Sequence, residues 1–244
     1  MMAKQSWRIT GLLVVFIVMG SIQLNAQKDR VWGGWYVTNI QYEFANRWFA
    51  YFELQSRSHA MFNHAFYYEV KGGLNYRINK NFIAFVGFGN YGTYDWKNLR
   101  GPKTVDELRL WEQFVINQPL NRLKFEHRFR FEQAWLNRKY RNRFRYRINL
   151  IVPLNKKQVE VNTVFASAFN EIFLTDTPPY FMRNRTYLGL GYQATHFLSI
   201  QCGWVNQFNY NLQAKGGKHN LLFSFNFRVV RKDNKFERIP SLPD

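Results

Sequence analysis

The chain has 244 residues with 34 Lys and Arg against 16 Asp and Glu, a formal net charge of +18, 19% aromatic residues and one cysteine. A single cysteine, Cys202, excludes an intramolecular disulfide framework, and the length suits one domain, so stability has to come from pairing and burial. The basic charge invites a nucleic-acid partner, but no recognition-helix pattern, no Cys/His finger spacing and no RNP-like segment is present, and this class is set aside.

The first element is a leader. Lys4 and Arg8 precede the apolar run Gly11 to Gly20 (GLLVVFIVMG), followed by SIQLNA and a polar Gln27. About ten apolar residues fall short of the roughly 20 that a spanning helix needs, so residues 1–26 read as a cleavable secretory signal peptide. No later run approaches that length. The expected division is signal peptide 1–26, an outer-membrane β-barrel 27–230, and a charged periplasmic tail 231–244.

From Val31 onward the chain alternates. Strand one, Val31 to Phe44, sets Tyr36, Ile40, Tyr42 and Phe44 against Asn39, Gln41 and Glu43. In strand two, Trp48 to Ser58, Phe52 and Leu54 oppose Glu53, Gln55 and Arg57. Strand three, Ala65 to Ile78, sets Tyr68, Val70, Leu74 and Tyr76 against Glu69, Lys71, Asn75 and Arg77. Asn79-Lys80-Asn81 is a tight turn, where Asn tolerates left-handed backbone. Strand four, Phe82 to Tyr94, carries Gly87, Gly89 and Gly92; its GxG lacks the third glycine and following helix of a phosphate loop. Strand five runs from Glu107 to Gln118.

The strongest pattern is Arg122 to Leu150. Lys124, Glu126, Arg128, Arg130 and Glu132 alternate with Leu123, Phe125, His127, Phe129 and Phe131; then Arg141, Arg143, Arg145 and Arg147 alternate with Phe144, Tyr146, Ile148 and Leu150. Side chains alternate faces along a strand, so this is a hairpin with one ionised and one apolar face, strands six and seven. At a helical period the arginines would smear around the whole circumference. One register pairs Glu132 with Arg141, Arg130 with Arg143, Arg128 with Arg145 and Glu126 with Arg147, and outwardly Phe129 with Phe144. Two inward pairs are Arg beside Arg and need carboxylates from flanking strands. Glu112 and Glu160 are on those strands, Glu112 among apolar residues and Glu160 on a polar row.

Pro153 to Lys157 closes a short turn into strand eight, whose apolar row is Val159, Val161, Thr163, Phe165 and Phe169 and whose polar row is Glu160, Asn162 and Asn170. Strand nine, Met182 to Ala194, puts Arg183 and Arg185 on one face. Strand ten is Phe197 to Tyr210. Strand eleven, His219 to Val230, has the clearest outward row: Leu221, Phe223, Phe225, Phe227 and Val229. Short turns are expected after odd strands and longer loops after even ones, the arrangement of outer-membrane barrels. The fold class is therefore all-β, a transmembrane antiparallel up-and-down barrel of about 10–12 strands, with twelve preferred because bacterial single-chain barrels are even.

Trp32 at the opening of the first strand, FEHRFRFEQAW (Phe125 to Trp135) and the following YRNRFRYRINL together resemble the domain of unknown function 2490 family, exported barrel-like proteins of Gram-negative outer membranes. The resemblance covers the mature chain and implies fold and location; no catalytic or ligand residue follows from it.

In a lipid-facing barrel an arginine at the midplane costs about 2–4 kcal/mol, so the charged rows must face the lumen. The lumen candidates are Glu53, Arg57, Glu69, Lys71 and Arg77; Lys124, Glu126, Arg128, Arg130 and Glu132; Arg141, Arg143, Arg145 and Arg147; and Glu160, Arg183 and Arg185. Such a network is either a structural plug or the lining of a small anion-selective pore. A lipid-modifying enzyme is the third reading. It is weaker, because Ser167 and Ser199 sit in no nucleophile context and His59 and His64 have no third metal ligand. No catalytic, metal or cofactor site is assigned. Outer-membrane lipid and small anions are the expected partners. Trp35, Trp48, Trp96, Trp111, Trp135 and His127 are expected in the aromatic girdle.

Overall fold

The computed structural model describes residues 31–210 and 215–231; the expected signal peptide and nearly all of the expected tail lie outside them. The described residues form eleven strands: β1 Gly33–Glu43, β2 Trp48–Ala60, β3 Asn63–Arg77, β4 Phe82–Thr93, β5 Val105–Leu120, β6 Leu123–Leu136, β7 Lys139–Pro153, β8 Thr163–Thr175, β9 Phe181–Gln193, β10 Leu198–Tyr210 and β11 Lys215–Val230. Each pairs antiparallel with its sequence neighbour, and the sheet closes into a barrel. An odd number of up-and-down strands leaves the first and last pointing the same way. The closing pair, β1 with β11, is accordingly parallel, in register from Gly33↔Asn220 to Glu43↔Val230. The preference for twelve strands rested on even parity; a parallel seam removes that requirement.

Two families of side chains result. Ile40, Leu54, Val70, Phe88, Phe114, Phe131, Leu188 and Phe225 are exposed on the outer face and form an apolar wall. The inner face is packed: Glu53, Glu132 and Glu171 are fully buried, as is Trp111. Trp35 and Trp111 thus fill the lumen rather than joining an aromatic girdle, because each falls on the inward parity of its strand. Trp48 and Trp135 do face outward at strand ends. His127 lies on the outer face with its Nδ1 2.9 Å from the Tyr146 hydroxyl, and Trp96 stacks on His59 in the β4–β5 loop at 3.8 Å.

The connections are less regular than an odd-short, even-long rule. One end holds residues 44–47, 78–81, 121–122, 154–162 and 194–197; the other holds the two-residue turns 61–62 and 137–138, the 94–104 loop and residues 176–180. At the second end the tight turns use left-handed backbone, with Phe62 at φ 60° and Asn137 and Arg138 at φ 46° and 69°. The Asn137-Arg138 turn sets the central register. Glu132 faces Arg143, Arg130 faces Arg145, Arg128 faces Arg147 and Glu126 faces Asn149, two residues along from the sequence expectation. Outwardly, Phe129 meets Tyr146 and Phe131 meets Phe144.

β8 departs most from expectation. Val159, Glu160 and Val161 belong to the 154–162 connection, not to a strand. Glu160 is exposed and pairs with Lys156 at 3.0 Å, so it is not a lumen residue. Phe165, Phe169 and Phe173 point inward with Thr163 and Glu171, and all five are buried. Asn170 is on the outer face, where its amide donates to Asn184 Oδ1 at 3.2 Å and Thr186 Oγ1 at 3.0 Å.

Candidate functional site

The lumen is built in three levels along the barrel axis. At the end that holds residues 44–47 and 78–81, Glu43 of β1 receives Arg77 of β3 at 2.8 Å and Arg228 of β11 at 2.9 Å, tying together strands on both sides of the parallel seam. Above it Glu53 pairs with Lys71 at 2.8 Å and accepts the Tyr51 hydroxyl.

The middle level is organised by two carboxylates. Arg143 Nε donates to Glu132 Oε2 at 2.6 Å, and Arg145 Nη1 donates to Glu132 Oε1 at 2.6 Å. Arg145 Nη2 and Nε both donate to Glu171 Oε1, at 2.8 and 3.1 Å, and Arg128 Nη2 reaches the same oxygen at 2.7 Å. Arg185 completes the set, 3.4 Å from Glu171 Oε2. Arg147 and Lys124 share Glu126 at 3.2 and 3.8 Å. Each arginine that faces another across β6 and β7 therefore has a carboxylate partner, as a low-dielectric interior requires.

Aromatic rings fill what the ion pairs leave. The Arg145 guanidinium lies 4.5 Å from the Phe173 centroid, Arg147 5.2 Å from Phe169 and Arg130 5.0 Å from Trp111. A cation over an aromatic face gains about 0.5–2 kcal/mol, so the rings add a second kind of partner to guanidiniums that also pair with carboxylates. Arg130 also donates through Nε to Gln113 Oε1 at 2.8 Å.

The third level, at the end that carries the 94–104 loop, is open among the described residues. A cavity of about 430 Å³ occupies it, walled by the ends of all eleven strands and floored by Arg143 and Arg145; nine of its lining side chains are Lys or Arg and two are Glu. Glu107 is engaged by Arg109 at 2.6 Å and Arg141 at 3.3 Å. Arg57 stands 3.6 Å from Glu69. Arg183 donates through Nε to Asn209 Oδ1 at 2.6 Å, and no described carboxylate lies within ion-pair distance of it. At the loop rim Lys103 reaches Asp106 at 2.9 Å, and hydrogen bonds to Tyr68 and Asp106 hold its ammonium pKa above the usual range.

Of the charged residues singled out in the sequence, Glu53, Glu69, Lys71, Arg77, Lys124, Glu126, Arg128, Arg130, Glu132, Arg143, Arg145, Arg147 and Arg185 are buried inside. Arg57, Arg141 and Arg183 line the open cavity. Glu160 is the exception described above. Four residues that matter were not singled out: Glu43, Glu107, Arg109 and Glu171. Glu112, considered as a counter-charge, stays on the outer face without a bulge and accepts from Gln133 Nε2 at 3.2 Å. The signal for Glu171 is parity, since it shares a row with Phe169 and Phe173, but the apolar residues of that row hide its inward facing.

Catalytic geometry is sparse. Ser167 donates to Asn149 Oδ1 at 3.1 Å inside the lumen, His59 takes Lys218 Nζ at 3.0 Å, and His219 accepts from Trp204 Nε1 at 2.9 Å. Among the described residues no group of three or more His, Cys, Asp or Glu is placed to hold a metal ion.

An apolar outer wall, a packed ionic interior and full closure define the class: a β-barrel of the outer-membrane kind. The fold is similar to LpxR from Salmonella typhimurium (TM-score 0.51, 7% identity, 78% of this chain and 87% of that one). It is also similar to the NanC porin (TM-score 0.50, 9% identity, 81% of this chain and 98% of that one). No curated protein matches the chain. The chain belongs to the family described as protein of unknown function (DUF2490), whose model matches residues 32–217.

Proposed function

We propose that this protein is an outer-membrane barrel of a Gram-negative bacterium with a structural role in the envelope, exported by its leader and sealed across the lumen. The observation that carries this reading is the middle level. Glu132 and Glu171, each with no exposed surface, hold five arginines, Arg128, Arg130, Arg143, Arg145 and Arg185, between β6, β7, β8 and β9. An ion crossing there would have to break several desolvated pairs, and opening even one strands a buried charge at a cost of about 3–5 kcal/mol. The barrel is a mechanical element rather than a conduit, and no catalytic role is assigned to it.

The runner-up is a small anion-selective pore. The excess of basic side chains at the open level favours it, and one structural relative is named a porin. Planar-bilayer recording separates the two. The sealed reading expects no unitary current from purified wild type in symmetric salt. Steady anion-selective steps, with a reversal potential that shifts in a salt gradient, would replace it with the pore reading.

A further inference from the structure

The open level has more cation than its neighbours can neutralise. Arg143, Arg145, Arg183 and Arg185 all lie within 5.8 Å of the Phe173 ring centroid. Glu132 and Glu171 serve three of them, and Arg183 is left with the Asn209 amide. Across the cavity Arg57 sits 4.0 Å above Trp35, whose ring also approaches Arg185 at 4.8 Å, and its carboxylate partner is beyond hydrogen-bond reach at 3.6 Å. Rings fix the planes of Arg57 and Arg183, and Arg183 has no described carboxylate within ion-pair distance to match its charge. Planar donors so fixed match the paired oxygens of phosphate and carboxylate groups.

We propose that the cavity at the loop end is a binding site for a small, multiply charged oxyanion of the phosphate class, held by Arg183 and Arg57 above the Arg143 and Arg145 floor. The volume, about 430 Å³, accommodates a small molecule. The ligand arrives from solution along the barrel axis. All eleven strands are paired around the circumference, so no gap in the wall admits a lipid headgroup from the side. The blocked middle level makes the site a dead end, and binding there is independent of whether ions pass.

The test is calorimetric titration of inorganic pyrophosphate into the full-length folded barrel in uncharged detergent, with glucose as the neutral control. The expected result is a single site that weakens as salt is raised, with no heat from glucose. Arg183→Gln and Arg57→Gln should each weaken it about tenfold or more. Arg138→Ala, in the tight turn outside the cavity, should bind like wild type. Heat-shifted gel mobility verifies that each variant is folded. No pyrophosphate binding by the wild type, or equal binding by folded Arg183→Gln, overturns the proposal. Loss of pyrophosphate binding in nanodiscs containing phosphatidic acid, but not in phosphatidylcholine alone, overturns the solution route. Bilayer current would overturn the sealed reading without touching this one.

Discussion

The β6–β7 hairpin and the neighbouring β8–β9 wall solve the same packing problem in opposite ways. On β6 and β7 the inner row is Arg and Glu and the outer row is aromatic. On β8 and β9 the inner row carries Phe165, Phe169, Phe173 and Tyr187, while Ala166, Ala168, Asn170 and Thr186 face out. The two are complementary: the long β7 arginines need surfaces to lie against, and the β8 rings provide them at 4.5 and 5.2 Å. Charge and apolar bulk share one lumen because a guanidinium is charged at its rim and flat on its face.

Removing the one carboxylate on the aromatic side is the severest way to break this arrangement. Glu171→Ala takes the shared partner from Arg128, Arg145 and Arg185, and should destabilise the barrel by about 3–5 kcal/mol, read as a lower urea midpoint in detergent. Phe169→Ala opens a cavity beneath Arg147 and should cost about 3 kcal/mol in the same titration. On the outer face Asn170→Leu removes three amide hydrogen bonds but gains an apolar side chain; a loss of about 1 kcal/mol is expected. Glu160→Ala should change the midpoint by less than about 0.5 kcal/mol, because the pair with Lys156 is solvated. A large loss for Glu160→Ala would return that residue to the lumen and overturn the β8 boundary.

The same comparison explains what could be read before the fold was known. β6 and β7 were legible because ionised and apolar residues alternate over most of their length, so parity and facing followed together. β8 was not, since both of its rows mix sizes and polarities, and Phe165 and Phe169 look as suited to lipid as to a lumen. Only the arginines across from them decide the matter, and that is a tertiary fact. The register slipped by two because Asn137-Arg138 places an arginine in left-handed backbone, where Gly or Asn is the usual sign. The odd strand count was visible as a conflict with parity; its resolution in a parallel pair was not, since nothing local to β1 or β11 marks it.

That pair also differs from every other joint in the cylinder. Adjacent strands elsewhere are stitched by the connection between them, so each zips from a tethered corner. β1 and β11 must find each other across the whole intervening chain, from Glu43 to Lys215, and their slanted hydrogen bonds hold slightly less well per residue. Closure there is expected to be the last step of assembly and the first to open. Hydrogen exchange should therefore run faster along Val37 to Tyr42 and Phe223 to Val229 than in the β6–β7 hairpin, making the ring of strands a clasp with one designated latch.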